Sequence, residues 1–281
     1  PQGRRTYSVN RLANILIYVD ADKHAKMSLT GSAADAGDIS FDNTYIPLVS
    51  QIIYDGRKIY GIKLDTADSV YGMMFTADLE CNADGSFYAA NIRYIPGVSA
   101  SKLLVKTVGT ETGGTTSYRR YMYFVDAYDW NTLKRVDMVS WAMQTIAAET
   151  AEGPVALSAV SDFNAADGYI VYNQNNMIYV AKMTGDGSRV TAIGEPIQVG
   201  YGTSGIISDS DAGSGALFYF VANSTADGSL SSVYAVNTDG ASVYMPCVYD
   251  GGTKVNGITV FGNALYGSVN DGAYMRLYGA E

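Results

Sequence analysis

IIYDGRKIYGIKL (52–64) is the stretch that decides the fold, because two apolar runs enclose an Asp-Gly pair. Asp-Gly between two alternating apolar runs is the strongest short-range signal for a tight β-hairpin. Within its second run, Tyr60 and Ile62 lie on one side, and the small Gly61 lies on the other. This alternation predicts a strand with one apolar face and one small or polar face.

The same pattern recurs along nearly the whole chain of 281 residues, which contains 30 Gly and 23 Tyr. Tyrosine favours half-buried pleated surfaces, and glycine supplies the turns between strands. The cores MIYVAK, SVYAVN and ALYGSV begin at Met177, Ser232 and Ala264. Units of roughly 40–55 residues with four short strands each are typical of β-propellers. Further copies of the pattern are CNADGSFYAANIRYI (81–95), AADGYIVYNQNNMIYVAKM (165–183), SVYAVNTDGASVYM (232–245) and NALYGSVNDGAYMRLYG (263–279).

The patterns DGxxxY and xxVYAVNTDGxxVxM resemble the blades of secreted bacterial β-propeller repeat proteins of the quinoprotein-like and surface-lipoprotein kind. The resemblance covers residues 50–279. It implies an all-β, propeller-like fold of about five or six irregular blades. We expect one such domain over residues 14–281, preceded by an extended N-terminal arm at residues 1–13. The alternative is a β-sandwich or an irregular virion-type β-domain, which would also contain many hairpins.

Two segments do not follow the hairpin pattern. MVSWAMQTIAAETAEG (138–153) has helix-forming residues and a terminating Gly-Pro, but its first half fits a strand equally well. GTETGGTT (109–116) has no apolar periodicity, and we expect it to be a flexible loop.

Charge and cysteine content restrict the function classes. The net charge of −9 and the pI of about 4.6 disfavour nucleic-acid binding, because an acidic protein repels a polyanion. No apolar run reaches the ~18 residues of a membrane span. The distant Cys81 and Cys247 match no zinc-site spacing. Two buried free thiols are favoured, and a long-range disulfide is left open.

Residues for common catalytic machinery are scarce. His24 is the only histidine, lies in a charged turn-like segment, and is expected to be a solvent-exposed loop residue. The chain has no Gly-x-Ser-x-Gly elbow and no phosphate-binding loop. Residues 208–213 (SDSDAG) resemble a calcium loop but lack its distal Glu, which favours an ordinary turn. We therefore expect no cofactor, no metal site and no catalytic residue.

Acidic residues are numerous, but no spacing singles out a glycosidase pair, and most are expected to cap turns. The candidates are Asp126, Asp129, Asp137, Glu149, Glu152 and Asp162. These features favour a binding protein over an enzyme, with a carbohydrate-active hydrolase as one alternative.

Aromatic residues near turns are the remaining candidates for ligand binding, because a flat ring offers apolar area to a glycan or a protein. Tyr128, Trp130 and Tyr249 are the predicted ligand-binding residues. We expect an extracellular or cell-surface module that binds a glycan, peptide or protein partner through loops. The other alternative is a structural protein of a virion or surface layer, with the N-terminal arm contributing to a homo-oligomer.

Overall fold

The computed structural model describes residues 7–10, 15–30, 32–56, 58–112, 115–166, 168–208, 218–238, 242–251, 253–261, 264–269 and 274–279. The chain divides into two compact units. The first contains residues 1–105 and 124–129, and the second contains 106–123 and 130–281. Each unit is described separately below.

The first unit contains an eight-stranded sheet in the order β1-β2-β3-β4-β8-β7-β6-β5. It consists of two antiparallel meanders, β1–β4 and β5–β8. The two meanders are joined because β4 pairs with β8 in parallel. A short 3-10 helix, Ala33–Asp35, lies between β3 and β4. The strands are β1 (Tyr7–Asn10), β2 (Ile15–Val19), β3 (Ala25–Ser28), β4 (Gly37–Phe41), β5 (Val49–Asp55), β6 (Lys58–Lys63), β7 (Met73–Cys81) and β8 (Phe87–Tyr94).

The predicted hairpins are present in this unit. Asp55 pairs with Lys58 across the turn between β5 and β6, and Cys81 pairs with Phe87 across the turn between β7 and β8. The hydrophobic core of the unit includes Ile17, Phe41, Ile52, Ile59 and Phe75. Of the predicted N-terminal arm, Tyr7–Asn10 forms β1 and pairs with β2. The other residues of that arm lie outside the described part of the chain.

The second unit contains the remaining sheets, and the division between the units falls within β9 and β10. A four-stranded sheet has the order β12-β11-β10-β9, and a 3-10 helix at Ala127–Asp129 separates β10 from β11. Its strands are β9 (Ala100–Thr112), β10 (Thr115–Asp126), β11 (Thr132–Asp137) and β12 (Met143–Thr145).

A seven-stranded sheet has the order β14-β13-β18-β17-β16-β15, with β19 paired to β17. Its strands are β13 (Ala147–Thr150), β14 (Gly153–Ala156), β15 (Val160–Ala166), β16 (Tyr169–Gln174), β17 (Met177–Thr184), β18 (Arg189–Ala192) and β19 (Ile197–Gln198).

Two smaller sheets complete the second unit. The first has five strands: its order is β20-β21-β22-β23, and β24 pairs with β22. The second has three strands in the order β25-β26-β27. The strands are β20 (Thr203–Ser208), β21 (Phe218–Asn223), β22 (Ser231–Thr238), β23 (Val243–Tyr244), β24 (Cys247–Gly251), β25 (Gly257–Phe261), β26 (Ala264–Ser268) and β27 (Tyr274–Gly279).

Residues 138–153, for which the sequence allowed either helix or strand, contain a turn followed by strands. After a turn at residues 138–140, β12, β13 and β14 occupy residues 143–156. Hydrogen-bonded partners override local helix propensity here, because β12 pairs with β11 and β13 pairs with both β14 and β18. The expected loop at 109–116 is also largely strand, since β9 extends to Thr112 and β10 starts at Thr115.

The cysteine prediction is half correct. Cys81 and Cys247 are both free, but both are exposed rather than buried. Each lies at a strand terminus, Cys81 at the end of β7 and Cys247 at the start of β24, where the sheet gives less cover than in its interior. The calcium-like segment at 208–213 lies, apart from Ser208, outside the described residues.

Candidate functional site

Trp130 is the most exposed large apolar residue among those the structure describes, with 85% of its surface accessible. It lies two residues before the start of β11, and its backbone is left-handed, with φ of 51°. The next residue, Asn131, has φ of 53°. Asparagine tolerates this region, but a bulky residue rarely adopts it, at a cost of roughly 1–2 kcal/mol. The fold therefore holds a strained tryptophan in solvent, where it buries little apolar surface.

Three other loops lie on the same edge of the second unit as Trp130. The Trp130 carbonyl accepts a hydrogen bond of 2.9 Å from the Ala159 amide, and the Asn131 carbonyl accepts one of 3.1 Å from the Val160 amide. Val160 starts β15 and pairs with Gln174, which ends β16. The turn that follows Gln174 belongs to this edge as well.

That turn consists of Asn175 and Asn176, which are exposed and left-handed, with φ of 53° and 60°. The Asn176 carbonyl accepts a hydrogen bond of 2.9 Å from Val199, two residues before the exposed Tyr201. This connected surface is the Trp130 edge. Its residues are Trp130, Asn131, Ala159, Asn175, Asn176 and Tyr201.

The chemistry of the Trp130 edge is aromatic and amide, without formal charge. Trp130 and Tyr201, the latter 59% accessible, supply ring faces. Asn131, Asn175 and Asn176 supply side-chain amides, each with two N–H donors and one carbonyl acceptor. Flat rings beside neutral hydrogen-bonding groups suit a ligand that has both C–H faces and hydroxyl groups.

The predicted ligand-binding residues differ in exposure. Tyr128 is 77% accessible in the 3-10 helix Ala127–Asp129 and belongs to the first unit, whereas Trp130 belongs to the second. Tyr249 is half-buried in β24, where it pairs with Val233 and packs against the core of its sheet. Of the three, Trp130 alone belongs to the Trp130 edge as defined.

Sequence reasoning missed three features of this edge. The Asn175-Asn176 pair between two apolar runs was a readable turn signal. Tyr201 and Ala159 carried no such signal, because an isolated tyrosine after a glycine and an alanine before a valine are ordinary residues. Their placement depends on pairing between distant strands.

Four of the six candidate carboxylates make hydrogen bonds or an ion pair within the fold, and of these Asp126 and Asp137 cap turns as expected. Asp137 accepts hydrogen bonds from the amides of Val139 and Ser140, at 2.8 and 2.9 Å. Asp162 accepts them from Phe163 and Ile206, at 2.8 and 2.9 Å. In the first unit, Asp126 accepts them from the amides of Ser99 and Tyr128, and in the second Glu149 pairs with Arg189 at 3.4 Å.

A cluster in the first unit contains the one group of potential metal ligands found among the described residues. The ligand atoms of Asp20, His24 and Asp38 lie within 4.8 Å of one another. Lys26 Nζ lies 2.6 Å from Asp38 Oδ1 and 3.6 Å from Asp20 Oδ2. Its ammonium group therefore already places a cation beside these carboxylates, and the Asp38 hydrogen bond raises the pKa of Lys26. His24 is half-buried, not exposed as expected, because its backbone forms an isolated antiparallel β-bridge with Leu48.

A second polar cluster surrounds Arg135, whose side chain is fully buried in the second unit. Its Nε donates to Gln144 at 2.9 Å, its Nη1 donates to the Asp186 carbonyl at 2.8 Å, and its Nη2 lies 3.1 Å from Asp186 Oδ2. The guanidinium carbon lies 3.9 Å from the centroid of the Tyr121 ring. Burial raises the pKa of Tyr123, which accepts from Nη1. The cluster satisfies a buried charge within the fold.

No described helix has both the length and the apolar character needed to cross a membrane. No protein-family model matches the chain, and no curated protein sequence matches it. Solved structures do match. Kluyveromyces lactis Hsv2 aligns with a TM-score of 0.54 at 12% identity, over 98% of this chain and 73% of its own.

A Bacteroides uniformis protein proposed to be a 6-phosphogluconolactonase aligns with a TM-score of 0.53 at 12% identity, over 96% of this chain and 82% of its own. At such identity the likeness establishes the fold alone. The chain has an all-β, propeller-like fold, as the sequence predicted. The described strands form five sheets, and the eight-stranded sheet of the first unit combines two antiparallel meanders joined by one parallel pair.

Proposed function

We propose that this protein is a non-enzymatic binding module that recognises a glycan through the Trp130 edge. The observation that carries the proposal is Trp130, held 85% accessible at a φ of 51°. Left-handed backbone at a bulky residue costs stability, and such strain is concentrated at functional positions. A ring that buries little surface in the fold is available to bury that surface against a ligand.

The neighbours of Trp130 favour a glycan over other ligands. A sugar ring stacks its C–H face on an aromatic ring, while its hydroxyl groups exchange hydrogen bonds with neutral amides. Asn131, Asn175 and Asn176 place such amides on the Trp130 edge, and none of its residues carries a charge.

A glycan microarray tests the proposal directly. Labelled wild-type protein is compared with Trp130→Ala and with Tyr118→Ala, which removes another exposed ring, 73% accessible, from β10. We expect binding to specific glycans that Trp130→Ala abolishes and Tyr118→Ala retains. Loss of an aromatic anchor costs about 2 kcal/mol or more, roughly a thirtyfold loss of affinity.

Other outcomes support the alternatives. A protein that binds no glycan and forms a homo-oligomer by light scattering is an assembly component. Hydrolysis of a bound glycan that stops when one acidic residue is changed indicates a carbohydrate-active hydrolase. Capture of a peptide or protein that depends on Trp130 keeps the binding role and replaces the ligand.

An extracellular or cell-surface location belongs to the same proposal and is supported by the low Lys content and the abundance of Tyr, Gly, Thr and Ser. The exposed free thiols of Cys81 and Cys247 allow a direct test. A membrane-impermeant maleimide should label both cysteines on intact cells. Labelling that requires cell lysis would place the protein inside the cell.

A further inference from the structure

A tight turn after β4 places an acidic residue and an exposed tyrosine on the surface of the first unit. The Thr44 amide donates to the Phe41 carbonyl at 2.9 Å, and the Phe41 amide donates to the Tyr45 carbonyl at 2.7 Å. Asp42 and Asn43 occupy the two central positions, with φ of 49° and 57°. Both central residues of a type I′ turn have a positive φ, which aspartate and asparagine tolerate. The turn therefore reverses the chain and brings Tyr45 back beside Phe41.

Neighbouring strands hold this turn in place. The Asn43 side chain exchanges two hydrogen bonds with the Asn82 side chain, at 2.8 and 3.3 Å. The Asp42 amide donates to the Ala89 carbonyl of β8 at 2.9 Å. The Asp42 carboxylate is exposed and, within the described part of the chain, takes part in no hydrogen bond or ion pair. A fixed turn thus presents an unpaired negative charge.

Two partly exposed tyrosine rings lie beside this charge. Tyr45 is 48% accessible, and Tyr94, at the end of β8, is 36% accessible. The Tyr45 ring packs on Phe41 in a T-shaped arrangement, with centroids 5.8 Å apart, and Tyr94 pairs with Phe75. The buried Phe41 and Phe75 rings contact each other, with centroids 5.0 Å apart. One aromatic core therefore supports both exposed rings.

The electrostatics of these three residues favour a cation. Burial raises the pKa of Tyr94 to about 12, and a hydrogen bond with Tyr45 and the negative charge of Asp42 add to the rise. Tyr94 therefore stays neutral at physiological pH, and the field of Asp42 reaches its hydroxyl group. The face of an aromatic ring carries negative potential and attracts a cation within about 6 Å of its centre.

We propose that Asp42, Tyr45 and Tyr94 bind a quaternary ammonium compound, with its trimethylammonium group against the tyrosine rings and its charge balanced by Asp42. The methyl groups of such a cation offer apolar surface to the rings, and the nitrogen has no N–H group that needs an acceptor. A calcium ion would need about six to eight oxygen ligands, more than one carboxylate and two hydroxyl groups supply. A primary ammonium ion is strongly hydrated and gains less from ring faces.

Isothermal titration calorimetry with choline tests the proposal. Dimethylbutanol, the neutral analogue of choline with carbon in place of nitrogen, is the matched probe of the same shape. We expect choline to bind wild type, and the neutral analogue to bind about tenfold more weakly or not measurably, because it lacks the charge that the rings and Asp42 recognise.

Three variants separate the charge from the rings. Asp42→Asn removes the charge and keeps the turn, because asparagine tolerates a positive φ. Tyr45→Leu removes a ring, whereas Tyr45→Phe keeps the ring and removes only the hydroxyl group. We expect about a tenfold loss of choline affinity for Asp42→Asn and Tyr45→Leu, and affinity within about threefold of wild type for Tyr45→Phe. Glu195→Gln, which removes an exposed acidic residue of the second unit, is the control for net charge and should bind as wild type does.

Unfolding midpoints confirm that each variant is folded. Equal affinity of wild type for choline and dimethylbutanol, wild-type affinity in folded Asp42→Asn or Tyr45→Leu, or no binding of choline at about 50 mM would overturn the proposal. Because the site lies in the first unit and Trp130 in the second, glycan binding can fail or succeed independently.

The trimethylammonium group could belong to a soluble compound or to a lipid headgroup, and sedimentation with phosphatidylcholine vesicles distinguishes these sources. Pelleting of the protein with vesicles, prevented by free choline and lost in Asp42→Asn, supports the site with a lipid as its source. Choline binding without pelleting supports the site with a soluble compound as its source.

Discussion

Trp130 and Ala159 are joined by a backbone hydrogen bond of 2.9 Å, and both have left-handed backbone, with φ of 51° and 55°. Neither residue type favours that region, so the bond connects two strained positions in different loops. The hydrogen bond holds the loop that presents the indole ring in this strained conformation. Local stability therefore favours a residue that tolerates a positive φ at position 130, whereas the proposed ligand binding requires the indole ring of tryptophan.

Trp130→Gly should separate these demands. Glycine adopts a positive φ without steric cost, which relieves roughly 1–2 kcal/mol, while its greater freedom in the unfolded chain offsets about 0.5–1 kcal/mol. We expect the free energy of unfolding in urea to stay level or rise by up to about 1.5 kcal/mol, with glycan binding lost. A fall of about 3 kcal/mol would mean that Trp130 belongs to the core.

Arg135→Gln should destabilise the second unit strongly. The substitution removes a fully buried cation that Asp186, Gln144 and Tyr121 surround. Breaking a buried charge cluster costs about 3–5 kcal/mol, whereas an exposed pair contributes about 0–1 kcal/mol. Arg189→Gln, which breaks the half-exposed pair with Glu149, is the matched control. Similar unfolding midpoints for both variants would contradict this account of the cluster.

Gly61→Ala should destabilise the first unit, because a methyl group there would lie 2.6 Å from the Phe75 ring and 2.8 Å from the Gln51 carbonyl. Overpacking of this kind costs about 1–3 kcal/mol. Gly37→Ala, which places a methyl group with no other heavy atom within 4 Å, should change the free energy of unfolding by less than about 0.5 kcal/mol. Chemical denaturation of both variants measures the difference, and equal stabilities would refute the close approach at Gly61.

Asp137 should make stability depend on acid pH. Hydrogen bonds from the Ser140 and Val139 amides and the nearby Arg119 guanidinium lower the pKa of Asp137, although burial opposes them. A carboxyl group with a lowered folded pKa stabilises the fold above its unfolded pKa of about 3.9, and this contribution disappears as the pH falls through the folded value.

The Asp137→Asn variant should therefore be less stable than wild type at pH 6 to about the same extent as at pH 5, and the gap should narrow below about pH 4. Thermal unfolding across this pH range measures the gap. A gap that is constant down to about pH 2 would show that Asp137 acts through its shape and not through its charge.

Local pattern predicted the hairpins well, because Asp-Gly turns and alternating apolar runs act over a few residues. The two faces of β6 were harder to predict: Gly61 is buried against Phe75, on the face that the sequence marked as small or polar. Tyr249 is half-buried because β24 pairs with β22, and no residue close to Tyr249 in the sequence predicts this pairing. A similar dependence on strand pairing made most of residues 143–156 strand and hid Tyr201 from prediction.

The exposure of Trp130 was predictable because an aromatic residue beside a turn signal has few packing partners nearby. Its positive φ and its link to Ala159 were not, since backbone strain arises only when distant loops are brought together. Arg135 gave no signal either. A charged residue in a strand is ordinarily exposed, and the partners that satisfy the buried Arg135, Asp186 and Gln144, lie elsewhere in the sequence.

The fluorescence of Trp130 tests the central claim most directly. Because the chain has only two tryptophans, Trp141→Phe leaves Trp130 as the single tryptophan, whose emission is excited selectively over that of tyrosine. We predict strong acrylamide quenching of the free protein. Titration with a glycan identified on the array should produce a saturable blue shift and protection from quenching. Saturable binding of that glycan with Trp130 emission and quenching unchanged would contradict the assignment of the Trp130 edge as the binding surface.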